Sequence, residues 1–238
     1  MKATYKDHMG GDLSVVNAAR VSFGKESEAL TKGDEGLIQF LARGCTSGDW
    51  DAHINSLQGI IDREAIEDVL RYVKKMPDHW TPFGHTAITL HMKAPIFIAR
   101  QLGKHQVGMV WNEVSRRYVS DTPEFYVPDQ FRKAADNVKQ GSSTEAAYTR
   151  VTPWKLFEYQ AETYQELLDE GVCPEQARMV LPQSMYTEWY WTGNLYSFAN
   201  VFVQRTDSHA QRECQDIAHQ IGTIIEPLFP VSWKALTH

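Results

Sequence analysis

Apolar residues recur along this chain with two periods, and these divide it into strands and helices. MKATYKDH at the start and ITLHM from Ile88 to Met92 alternate residue by residue, as half-buried strands do. The Gly10-Gly11 pair ends the first, and DLSVVNAARVSF follows as an Ala-containing helix with Asp12 placed to cap it. Helices are also predicted over Glu35 to Ala42 and over REAIEDVLRYVKKM, where Ile66, Val69, Leu70 and Val73 share a face and Pro77 sets the end. Residues 44–62 show neither period.

In KAPIFIARQLGKH, Pro95 suits the first turn of a helix whose continuation Gly103 and Gly108 weaken. Residues 107–115 are therefore expected as a loop that delivers Asn112, Glu113 and Ser115 to one place. Residues 129–152 are polar and read as an exposed connection, with helix around 131–139. PWKLFEYQAETYQELLDEG is amphipathic and stopped by Gly171. PEQARMVLP is a short helix between prolines, MYTEWYWT an aromatic strand, and NLYSFANVFVQR and SHAQRECQDIAHQIGTIIEPL are two more helices.

With 238 residues, 42% of them hydrophobic, the chain can bury the core of one large domain. Its net charge of -6 argues against a nucleic-acid-binding module, whose affinity depends on neutralising phosphates. No GxGxxG after a strand, Walker loop or internal repeat is present, so ordinary nucleotide folds lose support. Cys45, Cys173 and Cys214 are widely spaced and without a CxxC pair, which suggests neither a disulfide framework nor a thiolate zinc site. No run approaches the roughly 20 apolar residues of a membrane span, and MKATYKDHMGGD lacks the apolar core of a signal peptide, so a cytoplasmic protein without a membrane partner is expected.

Against this acidic background stands RQLGKHQVGMVWNEVSRRYV, residues 100–119, with Arg100, Lys104, Arg116, Arg117 and His105 around a single acid, Glu113. Arginines with hydroxyl and backbone donors suit a phosphate, because guanidinium offers a planar fork that keeps its charge. Taken alone, Arg116 and Arg117 read as solvated or surface-paired charges. Arg178 sits in an apolar context, where a buried guanidinium would demand an anion. His79 and His85 flank a TPFG turn at a spacing poor for a metal, and no metal site is expected. None of the three thiols has an activating neighbour in sequence, and the WYW at 189–191 reads as core.

WTPFGH, KAPIFIARQ, NEVSRRY followed by EFYVP, ARMVLP and RTDSHAQRE occur in this order, and in both order and separation the chain resembles the flavin-dependent thymidylate synthases from about residue 1 to 236. The resemblance implies an α+β fold, a mixed, largely antiparallel sheet flanked by helices, in a single domain over 1–238 with insertions near 44–62 and 129–152. It also implies a homotetramer with shared active sites that makes dTMP from dUMP, with FAD as cofactor and methylenetetrahydrofolate and NADPH as co-substrates. Carried over by position, Gln101, Glu113, Ser115, Arg117, Arg178 and Arg205 would contact dUMP, with Arg205 catalytic. Ser22, His79, Thr81, Lys104, His105, Gln106, Val107, Asn194 and Asn200 would contact FAD.

The chain departs from the family where the flavin is expected. The family signature of Arg-His-Arg, seven residues and Ser becomes Lys104-His105-Gln106 with eight residues before Ser115. Gly84 stands in place of a frequent Glu, and Tyr196 in place of an Arg. Two alternatives stay open: a same-fold enzyme adding another one-carbon group, such as hydroxymethyl, and a nucleotide-binding protein that has lost catalysis.

Overall fold

The computed structural model describes residues 1–43, 79–136 and 142–238. The helix expected over 63–76, the insertion expected near 44–62, and Cys45 lie outside the described residues. Strand β1 (Lys2–Met9) leads into helices α1 (Asp12–Arg20) and α2 (Lys32–Ala42), and β2 (Ala87–Pro95) runs directly into α3 (Ile96–Leu102). Then come β3 (Met109–Glu113) and a hairpin of β4 (Arg132–Ala134) and β5 (Ser142–Ala146). Helix α4 (Pro153–Asp169) and the short α5 (Pro174–Ala177) precede β6 (Tyr186–Gly193). Helices α6 (Leu195–Thr206), α7 (Arg212–Ile225) and α8 (Pro230–Thr237) end the chain.

The main sheet has the order β1-β2-β6-β3 and is antiparallel throughout. Its two-residue period decides what is buried. Leu90 pairs with Trp191 and Met92 with Trp189, all four inward, while His91 pairs with Tyr190 and Lys93 with Glu188 on the other face. The expected aromatic strand is thus split: Trp189 and Trp191 are core, and Tyr190 is exposed. Helices cover the inner face through Val15 and Val16, Ile38, Phe198 and Val201, Ile217 and Ile221, and Trp233. Burial of each such side chain is worth about 1.5–3 kcal/mol.

Three expectations need correction. Residues 107–115 are irregular only at their ends: Gly108, at φ +70°, turns the chain into β3, which completes the edge of the sheet beside β6. Trp111 stacks on Trp189 with ring centroids 4.2 Å apart, and this cross-strand packing outweighs the local glycine signal. Asn112 and Glu113 do border one cleft, but Ser115, beyond the end of β3, lines neither that cleft nor the larger one. Residues 132–134 are strand rather than helix, in a hairpin that the polar composition concealed. Asp12 does not cap its own helix, whose cap is Gly11. Its carboxylate instead accepts from the backbone N–H groups of Val231 and Ser232 at 2.9 and 2.8 Å, capping α8, a helix the periodicity left unpredicted.

Candidate active site

Helix α3 ends at Leu102, and the turn that follows carries Lys104, His105, Gln106 and Val107 to the edge of β3. Gly108 makes this turn possible. A Cβ there would lie 2.4 Å from Ser197 Oγ and 2.8 Å from Asn194 Nδ2, and Ser197 Oγ donates to the Val107 carbonyl at 2.9 Å. Asn194 in turn caps α6 by accepting from the Ser197 N–H. The N-terminus of α6 and the basic turn are therefore locked together.

At the other end of α6, half-buried Arg205 meets the same turn. Its Nε donates to His105 Nε2 at 2.9 Å and its Nη2 to the Gln101 carbonyl at 2.9 Å. Burial, and then the Arg205 charge, push the His105 pKa down to about 4. The ring is neutral near pH 7, and with Nε2 accepting, its proton sits on Nδ1. These residues line a cleft of about 1350 Å³ together with Arg100, Lys104, Gln106, Trp111, Glu113, Arg132 and Gln211.

A string of hydrogen bonds runs along one wall of the cleft. Arg132 Nη2 donates to both oxygens of buried Glu213 at 2.7 and 2.9 Å, and its Nε donates to Ser142 Oγ at 2.7 Å. Burial raises the Glu213 pKa, but hydrogen bonds led by those from Arg132 outweigh it and leave the carboxyl below its ordinary value. Gln211 Nε2 donates to Glu213 at 2.9 Å, and Gln101 Nε2 donates to Gln211 Oε1 at 2.6 Å. Glu113, held by Thr187 Oγ1 at 2.6 Å and Trp111 Nε1 at 3.1 Å, also lines a second cleft of about 570 Å³ that includes Arg116 and Arg178.

Pairing separates structural cations from available ones. Arg20, Lys93, Arg116, Arg132, Lys133 and Arg212 each meet a carboxylate. Among the described residues no ion pair engages Arg100, Lys104, Arg117, Arg178 or Arg205. The surface reading of Arg116 is correct, since it is bound to Asp121. Arg117 instead donates to Ser115 Oγ at 3.2 Å and lies over the Tyr118 ring. Arg178 is exposed rather than buried, and its Nε meets only the Glu175 carbonyl, so the expectation from its apolar neighbours is corrected. Of its two apolar neighbours in sequence, Ala177 is buried but Met179 is exposed like Arg178 itself.

Comparison with known proteins matches residues 6–231 to the thymidylate synthase complementing protein family. This chain belongs to the flavin-dependent thymidylate synthase family. A flavin-dependent thymidylate synthase from Thermosipho africanus is 36% identical over 234 residues, covering 96% of this chain and 87% of the relative. One from Thermus thermophilus is 34% identical over 233 residues, covering 96% and 73%. In structure, the UMP/dUMP methylase PolB from Streptomyces cacaoi, bound with 5-Br dUMP, superposes with a TM-score of 0.74 at 30% identity, over 99% of this chain and 94% of the other. The α+β fold with its antiparallel sheet is that of this family.

Within this flavin-dependent thymidylate synthase scaffold, the residues expected around dUMP divide between two places. Gln101, Glu113 and Arg205 share the large cleft, Glu113 and Arg178 the small one, and Ser115 and Arg117 lie in neither. The flavin set divides as well. Lys104, His105 and Gln106 line the large cleft, whereas the turn that begins at Thr81 packs against α6, which Asn194 caps and which carries Asn200, and the His79 ring centroid lies 5.4 Å from that of Phe40 on α2. Ser22 is exposed on the turn after α1. Gly84 and Tyr196 adjoin each other: the Tyr196 ring stacks on Trp80 with centroids 5.6 Å apart, and a Cβ at Gly84 would sit 3.2 Å from that Trp80 ring. Sequence reasoning did not single out Arg132, Gln211, Glu213 or Trp111. Gln211 and Glu213 lay inside RTDSHAQRE and could have been found there, but Arg132 had no local signal.

Among the described residues no helix is long and apolar enough to cross a membrane, and no group of His, Cys, Asp or Glu could hold a metal ion. Cys214 is buried, with its thiol pushed up to about 11 by burial, and Cys173 is exposed.

Proposed function

We propose that this chain converts dUMP to dTMP in the cytoplasm, with methylenetetrahydrofolate as carbon donor, FAD as cofactor and NADPH as reductant. Arg205 carries the reading. It is a half-buried guanidinium on a cleft of about 1350 Å³, held by a neutral imidazole and a backbone carbonyl, with no carboxylate among the described residues to neutralise it. Those two bonds engage Nε and one Nη2 hydrogen and leave Nη1 for a ligand. Placed against a uracil ring, Arg205 would stabilise the negative charge that develops on the ring carbonyls.

The residues fit a flavin dinucleotide. The cleft has room for a planar ring system beside a nucleotide, and Arg100 and Lys104 bring charge suited to a diphosphate. Lys104 supplies a point charge in place of a guanidinium fork, so the diphosphate would be held less rigidly than by the family's arginine. When bound, FAD would supply the hydride. Ser115, Arg117 and Arg178 lie outside the Arg205 cleft of their own chain, and their positions support a homotetramer in which another copy brings them to the phosphate.

The test is tritium release from 5-tritiated dUMP with FAD, methylenetetrahydrofolate and NADPH, followed by product mass. Release with gain of a methyl group, abolished by Arg205→Ala, is expected. A product carrying hydroxymethyl would assign the other one-carbon chemistry. Protein that neither takes up FAD nor turns over dUMP would refute the reading. UMP belongs in the same assay, because the structural neighbour is a methylase of both UMP and dUMP.

A further inference from the structure

We infer that Arg132 and Glu213 are positioning residues that fix the orientation of the Gln101 amide, so that Gln101 offers the cleft a hydrogen-bond acceptor and selects a ligand that donates. The inference rests on the cleft being the nucleotide site, and its argument is one of donor and acceptor counting. A carboxylate ionised by Arg132 can only accept. Gln211 must therefore turn its NH₂ toward Glu213, 2.9 Å away, which leaves its Oε1 facing Gln101. Gln101 must answer with its own NH₂, at 2.6 Å. The second hydrogen of that NH₂ points to the Phe97 carbonyl at 3.4 Å, so both are committed to the protein. Oε1 is then the polar atom of the Gln101 side chain left for a ligand, and no donor among the described residues reaches it.

The origin of this polarity is remote from the cleft floor. Arg132 lies on the β4–β5 hairpin, where Ser142 holds its Nε at 2.7 Å, and it meets Glu213 at the start of α7. Glu213 is 5% exposed, so water does not supply an alternative donor that would free Gln211 to flip. The same Gln101 residue gives its backbone carbonyl to Arg205. The hairpin thereby sets the hydrogen-bonding sense of a residue that also anchors the guanidinium. On a deoxyuridine nucleotide two groups can donate to Oε1, the N3–H of the base and the 3′-hydroxyl of the sugar. Both present the same chemistry.

Glu213→Gln tests this without changing shape. With Arg132 taking the new amide oxygen, its NH₂ faces Gln211, and the two downstream amides must reverse, presenting Gln101 NH₂ to the ligand. Calorimetry on the FAD-loaded protein would compare dUMP with N3-methyl-dUMP and with 2′,3′-dideoxy-UMP. The wild type should bind one of these analogues about tenfold more weakly than dUMP, the usual scale for one lost hydrogen bond. Glu213→Gln should weaken dUMP about tenfold and leave that analogue unchanged, erasing the preference. Gln211→Met, which interrupts the string but leaves the buried carboxylate and its Arg132 bonds in place, should also erase it. Arg132→Lys, which keeps Glu213 ionised, should retain it. Wild-type protein that binds dUMP and both analogues equally, or Glu213→Gln and Gln211→Met variants that fold and keep the full preference, would overturn the inference while the nucleotide site stands. Wild-type protein that binds no dUMP would overturn the site itself.

Discussion

His105 should titrate near pH 4, and Arg205→Gln should move it upward. In the folded chain, burial and then the Arg205 charge hold the imidazole at about 4, against an ordinary value of 6.5. At about 1.4 kcal/mol per tenfold change in proton affinity, that displacement corresponds to about 3 kcal/mol. The ring keeps some contact with solvent, and screening leaves roughly half, or about 1–2 kcal/mol. The sign follows from which state binds the proton. Between pH 6.5 and 4 the unfolded imidazole is protonated and the folded one is not, so acid favours unfolding through this group. Its stabilisation is complete above pH 6.5 and is lost as pH falls toward about 4. Arg205→Gln removes the charge and leaves the burial, so His105 should then titrate between the two values. Long-range proton–nitrogen NMR of the nine imidazoles, with His105→Gln for assignment, reads this directly. A wild-type His105 titrating near 6.5, or one that Arg205→Gln does not move, would refute the reasoning. So would NMR showing Nε2 protonated in the wild type, because Arg205 could not then donate to it.

Other consequences are equally open to measurement. Asp12→Ala removes the acceptor for two N–H groups at the start of α8 and should cost about 2 kcal/mol, a fall in Tm of roughly 4–8 °C for a chain of this size. Asp12→Asn, which keeps one acceptor oxygen, should cost less in the same melt. Gly108→Ala forces a side chain onto a backbone at φ +70° and to within 2.4 Å of Ser197 Oγ, so it should destabilise by about 1–3 kcal/mol and weaken the FAD spectrum of the loaded protein. Iodoacetamide at pH 8 should modify Cys173 in the native protein and spare Cys214, whose thiol is buried and raised to about 11; mass spectrometry of the labelled peptides would show the reverse if the packing were wrong.

The elements that sequence reasoning placed correctly are those whose pattern is local. The alternation of ITLHM survives as the inward and outward faces of β2, and the amphipathic run after Pro153 ends at Gly171, which adopts φ +87°. The motifs RTDSHAQRE and KAPIFIARQ led to Arg205 and Gln101, which the fold brings to one cleft. Arg132 was hidden because nothing adjacent to it in the chain explains it; its partner Glu213 lies 81 residues away. Asp12 was misjudged for the same reason, since its ligands, Val231 and Ser232, are 219 and 220 residues distant.

The sequence by itself determined the family, the periodic strands and helices, and the residue types able to meet an anion, because these depend on local order and on chemistry carried by each side chain. The tertiary structure decided which cations are spent on carboxylates and which remain available. It also decided that His105 is a neutral acceptor for Arg205. Both outcomes depend on burial and on partners from distant segments, and hydrogen-bond direction and desolvation act only where those segments have been packed together.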